Sequence, residues 1–251
     1  MRETVVLPFC GAPPLPGELW MRWTLDPVLI GLLALVPALY LTFVPKGEGR
    51  ERAFFWLGWA TLVVAFVSPL CALSAALFSA RVAHHVLLVA VAAPLLALAN
   101  PWRARMALPY PALWLLIHAF ALWFWHAPIP YEAALRSDAL YWLMQLSLLG
   151  SALLFWSSAL SGRHAAMTAP VTLLAAMMQM GLLGALITFA PRPLYTAHAL
   201  STEPFGLTPL ADQQLAGLIM WAPGALPYLV AALAFAASAL RGAAAGSAPS
   251  R

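Results

Sequence analysis

The stretch that decides the fold class is Ala169–Phe189, which reads APVTLLAAMMQMGLLGALITF. It contains no Asp, Glu, Lys or Arg, and a helix of about 20 apolar residues is long enough to cross the hydrocarbon core of a bilayer. The run is too long for one strand of a membrane barrel, and the backbone polar groups of a span must be satisfied internally. The stretch therefore predicts a membrane-spanning α-helix.

The composition of the whole chain supports the same class. Of its 251 residues, 63% are hydrophobic and 9% are charged, and the mean hydropathy is +0.84. A soluble domain has about 25% charged residues, so this chain has too few charges to cover a water-facing surface. The formal net charge of +4 is typical of basic membrane loops and does not indicate nucleic acid as a partner. The lipid bilayer is the expected environment.

Six further apolar runs resemble the first, and together they predict an all-α integral membrane protein with seven transmembrane helices. We expect residues 1–25 to form an exposed N-terminal segment, residues 26–240 the seven-helix membrane domain, and residues 241–251 a cytoplasmic tail. The other six runs are Pro27–Val44, Phe54–Leu73, Val82–Ala99, Leu108–Trp125, Ala139–Leu160 and Gln214–Leu240.

Basic residues predict the orientation of these spans. Eight of the 13 Lys and Arg residues fall after the first, third, fifth and seventh runs, and five fall on the other side. The difference is clearest in the short loops 45–53 and 100–107. Cytoplasmic loops carry the excess of Lys and Arg. The N-terminus is therefore predicted outside and the C-terminus in the cytoplasm.

Five of the six histidines fall in the outer half of the predicted bundle: His84, His85, His118, His126 and His198. Ionisable residues within spans usually face the protein interior and mark function. His84 and His85 point about 100° apart on a helix, so both do not readily face one small site. The alternative for each is an interfacial histidine bonded to a loop carbonyl. For the deeper His118, a packing role is favoured.

An arginine and three methionines lie near these histidines in the predicted bundle. Arg81 and His85 are four residues apart and share a helix face. Met144, Met180 and Met220 lie in the outer or middle part of the predicted bundle, and thioethers are suitable ligands for Cu(I). Methionine is also a common packing residue. For any single methionine here, the packing role is the favoured interpretation.

A polar, proline-rich loop separates the last two spans, in the segment TFAPRPLYTAHALSTEPFGLTPLADQQLAGLIMW, residues 188–221. It contains Arg192 and His198, and it ends at Asp212 and Gln213. Asp212 is placed to cap or complement the start of the seventh helix. A rigid helix start would also allow Gln213 to point into a cavity, so the two interpretations are compatible.

Other chemistry is not indicated by the sequence. Cys10 and Cys71 are far apart and form no CxxC motif, and their spacing does not point to a disulfide. The chain has no Walker A, GxSxG or HExxH motif. No nucleophile–base pair is visible, so an enzyme is the least favoured class.

Three segments of the chain resemble the multi-span CtaG-type cytochrome c oxidase assembly factors, over about residues 25–240. The resemblance implies a non-enzymatic multi-pass protein of the bacterial inner membrane that helps to insert copper, with oxidase subunits as partners. The segments are HHVLLVAVAAPLLALANP from His84, WHAPIPYEAALRSDAL from Trp125, and TFAPRPLY followed by LADQQLAGLIMWAPG from Thr188.

The resemblance also implies a set of site residues. It selects His85, His126, and Asp212 with its glutamines. At two positions where the family commonly has histidine, this chain has Arg81 and Leu146. His84 is a candidate replacement for one of the missing ligands.

Three functional hypotheses follow from these residues. The leading one is transient binding of Cu(I) by His85 and His126, with His84 or a methionine, near the outer membrane face. Arg192 and Asp212 would then shape a docking loop, with His198 as a weaker ligand candidate. The second is a haem-binding redox protein with bis-histidine ligation. The third is a metal-free structural chaperone of oxidase subunits.

Overall fold

The structure is a computed structural model that describes residues 9–44, 49–100, 108–162, 164 and 167–246. Every regular element within these ranges is a helix. Four helices are long and apolar enough to cross a membrane, and six spans result if each of two bent helix pairs is counted as one. The predicted all-α class is therefore confirmed, and four to six helical segments are candidate membrane spans.

Each predicted apolar run is helical, and we number the helices in chain order. They are α1 Pro27–Phe43, α2 Gly49–Val67, α3 Pro69–Ala76, α4 Phe78–Leu98, α5 Pro111–His126, α6 Pro128–Leu135, α7 Asp138–Ala159, α8 Thr168–Phe189, α9 Pro209–Trp221 and α10 Leu226–Gly246.

The span lengths differ from the prediction. Helix α1 is apolar but has 17 residues, somewhat fewer than the roughly 20 that cross a bilayer upright. The second predicted span is broken into two helices. The fourth ends near Trp125 as predicted, but its helix α5 has 16 residues and reaches the length of a span only together with α6. The observed lengths therefore give four candidate spans, or up to six if each bent pair is one span.

Both breaks occur at the residue before a proline. Helices α2 and α3 meet at 50° around Ser68, and α5 and α6 meet at 72° around Ala127. Ser68 and Ala127 have extended backbone angles, because Pro69 and Pro128 disfavour the α conformation of the preceding residue.

The seventh predicted span is interrupted around Pro223 and Gly224. Helix α9 ends at Trp221 and α10 begins at Leu226, and the two together form one span of 33 residues. A Cβ on Gly224 would lie 2.5 Å from the carbonyl oxygen of Met220. Only glycine fits this break without moving the backbone.

Close packing of α8 against α9 relies on two glycines. A Cβ on Gly217 would lie 2.5 Å from the carbonyl oxygen of Gly184, and a Cβ on Gly184 would lie 2.8 Å from the carbonyl oxygen of Gly217. Small residues allow helix backbones to approach closely in membranes. This contact fixes the position of α9, which carries Asp212.

The N-terminal segment is joined to the bundle by a disulfide between Cys10 and Cys71, whose Cα atoms are 5.3 Å apart. Most side chains from residue 11 to 25 are at least partly exposed, but Cys10 is buried and Phe9 packs against Tyr141 and Trp142. The spacing of 61 residues gave no signal for this pairing, because it arises when the segment folds back over α3.

Several residues used in the orientation argument lie outside the described residues, namely Arg2, Lys46, Arg103, Arg105, Arg163 and Arg251. The same holds for residues 1–8 of the predicted N-terminal segment and 247–251 of the predicted tail. The predicted orientation therefore stays a prediction.

Candidate functional site

Asp212 caps a helix other than its own. Its carboxylate accepts hydrogen bonds from the backbone N–H groups of Phe78, at 2.7 Å, and Ser79, at 3.1 Å, and from the Ser79 hydroxyl. The start of α9 is capped instead by Thr208, whose side chain accepts from Ala211. Asp212 thus holds the first turn of α4, the helix that carries Arg81 and both adjacent histidines.

His85 and His126 form a buried pair across α4 and α5. The Nδ1 atom of His85 lies 3.3 Å from Nε2 of His126, and the rings meet edge to face. Nδ1 of His126 lies 2.8 Å from the carbonyl oxygen of Leu122 and donates to it. In the neutral pair, Nε2 of His126 therefore accepts from Nδ1 of His85. Nε2 of His85 keeps its lone pair and has no hydrogen-bond partner among the described residues.

His84 adjoins this pair on the side of α2. Its ring centroid is 5.9 Å from that of His85, and its edge packs against Phe66. Neither of its ring nitrogens has a hydrogen-bond partner in the described part of the chain. Although neighbouring helix residues point in different directions, both histidines are buried within the bundle.

The donor set fits a metal only in part. No group of three or more His, Cys, Asp or Glu residues that could hold a metal ion occurs within the described ranges. The side chains available are the His85–His126 pair with the unpartnered nitrogens of His84. Structural zinc sites use four protein ligands, so this set suits weak binding of an imidazole-compatible ion such as copper better.

Arg81 and Gln145 complete a polar cluster, which we define as Arg81, His84, His85, His126 and Gln145. Arg81 is 0% exposed, and its guanidinium lies 5.2 Å from the ring centroid of Tyr141. None of its three nitrogens has a hydrogen-bond partner among the described residues, and neither polar atom of the buried Gln145 has one. Most of the unpartnered buried polar atoms in the described chain belong to this cluster.

The loop between α8 and α9, residues 190–208, covers the cluster and is called the lid loop. The Tyr195 hydroxyl donates to the carbonyl oxygen of His126 at 2.7 Å, and its ring stacks on Phe78 with centroids 3.6 Å apart. His198 Nε2 lies 2.7 Å from the hydroxyl of Tyr131 on α6. The lid loop therefore contacts the helices on both sides of the histidine pair.

Burial sets the protonation states of His198 and Tyr195 in the lid loop. Burial, together with the charge of Arg81, lowers the pKa of His198 to about 4, so the ring is neutral near pH 7. A neutral Nε2 accepts the hydrogen bond that the Tyr131 hydroxyl donates. Burial also raises the pKa of Tyr195, which keeps its hydroxyl protonated as a donor.

Gln213 holds the lid loop and does not join the polar cluster. Its Oε1 accepts from the N–H of Leu194 at 2.6 Å, and its Nε2 donates to the carbonyl oxygens of Ile187 and Arg192. The Arg192 side chain is exposed. Both residues thus act on the conformation or surface of the loop.

His118 lies apart from the cluster and has its own partners. Its Nδ1 is 3.1 Å from the Ser151 hydroxyl, its Nε2 is 3.4 Å from the Tyr228 hydroxyl, and its ring stacks on Phe155. These contacts are those expected of a packing histidine.

The three candidate methionines are all buried. Met180 and Met220 adjoin Gly224 at the break between α9 and α10, and the Met180 methyl lies 3.3 Å from where a Cβ on that glycine would be. Met144 precedes Gln145 on α7. The structure thus associates Met180 and Met220 with the helix break.

Position 146 has a different environment from its neighbour. Leu146 is exposed, whereas Gln145 is buried beside Tyr141. A histidine at position 146 would point out of the bundle. The inward-facing residues Tyr141 and Gln145 were missed in the sequence, although their spacing of four places them on one helix face.

Comparison with known proteins gives one match. The sequence model of the cytochrome c oxidase caa3 assembly factor family matches residues 38–242. No curated protein and no solved structure matches the chain. The matched region includes the whole polar cluster, its capping residue Asp212 and the lid loop. The chain belongs to the cytochrome c oxidase caa3 assembly factor family.

Proposed function

We propose that this protein assists the assembly of cytochrome c oxidase by holding Cu(I) transiently and passing it to an oxidase subunit. The observation that supports this function is the His85–His126 pair, with nitrogens 3.3 Å apart and a free lone pair on His85 Nε2. Copper is the cargo in this proposal. A small ligand set suits release, because fewer protein ligands have to be displaced.

Residues around the pair would support the ion indirectly. The Leu122 carbonyl accepts from Nδ1 of His126 and so fixes its tautomer, as acceptors on the second ring nitrogen do for metal-binding histidines. Asp212 fixes the start of α4. Tyr195 and His198 would cover the ion, so release would require the lid loop to move.

We also propose that all seven apolar helices span the bacterial inner membrane, with the N-terminus and the lid loop at the outer face. The excess of basic residues in the opposite loops supports this orientation. The Cys10–Cys71 disulfide also supports it, because disulfides persist mainly in oxidising compartments such as the periplasm. Copper could then exchange with the periplasm.

Copper content after anaerobic purification tests the function. We expect the wild-type protein to retain Cu(I) and the double variant His85→Ala plus His126→Ala to lose it. His164→Ala provides a control, since His164 is partly buried near Ser158 and lies outside the cluster. Equal copper in the wild type and the double variant would rule out the site.

Two alternatives are separated by simple measurements. An iron ion held between His85 Nδ1 and His126 Nε2 would have to replace their 3.3 Å contact, and so would a copper ion held there, so this distance does not separate the two hypotheses. A Soret band in the purified protein would identify haem, and its absence would exclude it. A metal-free chaperone is favoured instead if the double histidine variant still supports full oxidase activity. The assembly-factor family implies a non-catalytic role.

A further inference from the structure

We propose that the polar cluster contains a binding site for a small carboxylate-type anion, held by Arg81 and Gln145 between α4 and α7. Formate is the simplest member of this class. This site adjoins the proposed copper ligands in the same cluster, but the proposal does not depend on copper binding.

Arg81 carries a fully buried positive charge. Its guanidinium is always protonated in proteins, the residue is 0% exposed, and no carboxylate in the described part of the chain forms an ion pair with it. The ion pair that the structure does describe, Arg136–Glu132, lies at the surface. A buried ion without a counter-charge is strongly unfavourable. Water could satisfy the N–H groups but would leave the charge unbalanced.

Several hydrogen-bonding groups lie beside Arg81. None of its three guanidinium nitrogens, and neither polar atom of the Gln145 amide, meets hydrogen-bond geometry with a described residue. Arg81 lies over the Tyr141 ring, and Gln145 is also a neighbour of Tyr141. His84 adds an imidazole with both nitrogens unpartnered among the described residues. This set offers several donors and no negatively charged acceptor.

The shape of the site selects the class of anion. A guanidinium presents parallel N–H groups in a planar fork that matches the two oxygens of a carboxylate. The ligand must be small, because Phe66 and Trp142 stack beside His84 and Tyr141 and close this side of the cluster. One negative charge balances the single charge of Arg81.

Thermal unfolding of copper-free protein in detergent tests the site. Sodium formate is compared with sodium chloride at equal ionic strength and pH 7. Ligand binding to the folded state raises the unfolding temperature, and we expect formate to raise it by at least about 2 °C more than chloride. No formate-specific rise, or an equal rise with chloride, would overturn the proposal.

Three variants assign the effect to residues. Arg81→Met should abolish the response to formate, and Gln145→Leu should reduce it. Arg136→Met, which removes an exposed arginine, should respond like the wild type. A formate response that persists in Arg81→Met would overturn the proposal.

A conservative variant covers the case in which Arg81→Met does not fold. Arg81→Lys keeps the positive charge but lacks the planar fork, so it should lose the preference for formate over chloride. The line width of ¹³C-labelled formate gives an independent readout. It should broaden with wild-type protein and stay narrow with Arg81→Lys, and equal broadening would contradict the assignment. Because copper is absent, a negative result leaves the copper proposal unaffected.

Discussion

At the scale of single residues, Asp212 connects the lid region to the histidine helix. Its carboxylate binds the N–H groups at the start of α4, 133 and 134 residues earlier in the chain. The sequence indicated a helix-capping role for Asp212, but only for the helix that contains it. No local pattern shows that a side chain caps a helix so distant in sequence.

We predict that Asp212→Ala destabilises the protein and weakens copper retention. The substitution leaves the buried N–H groups of Phe78 and Ser79 without an acceptor, at a cost of about 1–3 kcal/mol each. Asp212→Asn keeps one acceptor oxygen and should cost less. Thermal unfolding and copper content measure the two effects.

The matched control for this prediction is Asp138→Ala, because Asp138 is an exposed acid in the first turn of α7. It should change the free energy of unfolding by no more than about 0.5 kcal/mol, as most surface substitutions do. Equal effects of Asp212→Ala and Asp138→Ala would contradict the capping role.

The residue scale also shows what sequence can and cannot predict about the site. His85 and His126 were selected together, and the structure places them in direct contact. Arg81 was placed on the same face as His85, but its burial without a partner depends on α7, which is remote in sequence. Tyr195 was not selected, because an aromatic residue in a polar loop gives no signal that it will stack on Phe78.

At the scale of elements, hydrophobic runs predicted where helices form more reliably than how they cross the bilayer. The run from Phe54 is helical but bent at Pro69, and the run from Leu108 is helical and is followed, after a bend at Pro128, by the additional helix α6. Both prolines were visible in the sequence. The angles were not, because they depend on how the helices pack on either side of each bend.

We predict that Gly217→Ala destabilises the contact between α8 and α9. The added methyl group would overlap the Gly184 carbonyl oxygen and the Thr188 side chain, and overpacking typically costs about 1–3 kcal/mol. Gly150→Ala is the matched control, because no heavy atom lies within 4 Å of a Cβ at this helical position. It should be neutral or stabilising, since alanine favours helix by up to about 1 kcal/mol. Unfolding temperatures of the two variants and the wild type, measured in one detergent, test this prediction. An unchanged unfolding temperature for Gly217→Ala would contradict a close contact between α8 and α9.

At the scale of the whole molecule, the disulfide and the lid loop define one end of the bundle. Cys10 lies 3.4 Å from the Tyr141 hydroxyl, and Tyr141 in turn contacts Arg81. The N-terminal segment, the polar cluster and the lid loop therefore lie close together, although they are far apart in sequence. Composition alone predicted a membrane protein. The proximity of these three segments could not be predicted, because it depends on how the helices pack.

We predict that this end of the molecule faces the periplasm. Leu200 in the lid loop is 96% exposed, so Leu200→Cys should react with a membrane-impermeant maleimide in intact cells. Gly49→Cys, at the exposed start of α2 on the predicted cytoplasmic side, should react only after the cells are opened. The reverse pattern would invert the orientation.

Helix α6 is short and meets α5 at a 72° bend at Ala127, the residue that follows His126. On the exposed face of α6, Ile129 is 85% exposed. On its buried face, the Tyr131 hydroxyl is hydrogen-bonded to His198 of the lid loop. A protein that pressed on α6 would therefore act on the lid loop and on His126 through one movement. If the proposed copper site holds, this linkage would allow a partner that contacts α6 to release the ion without entering the bundle.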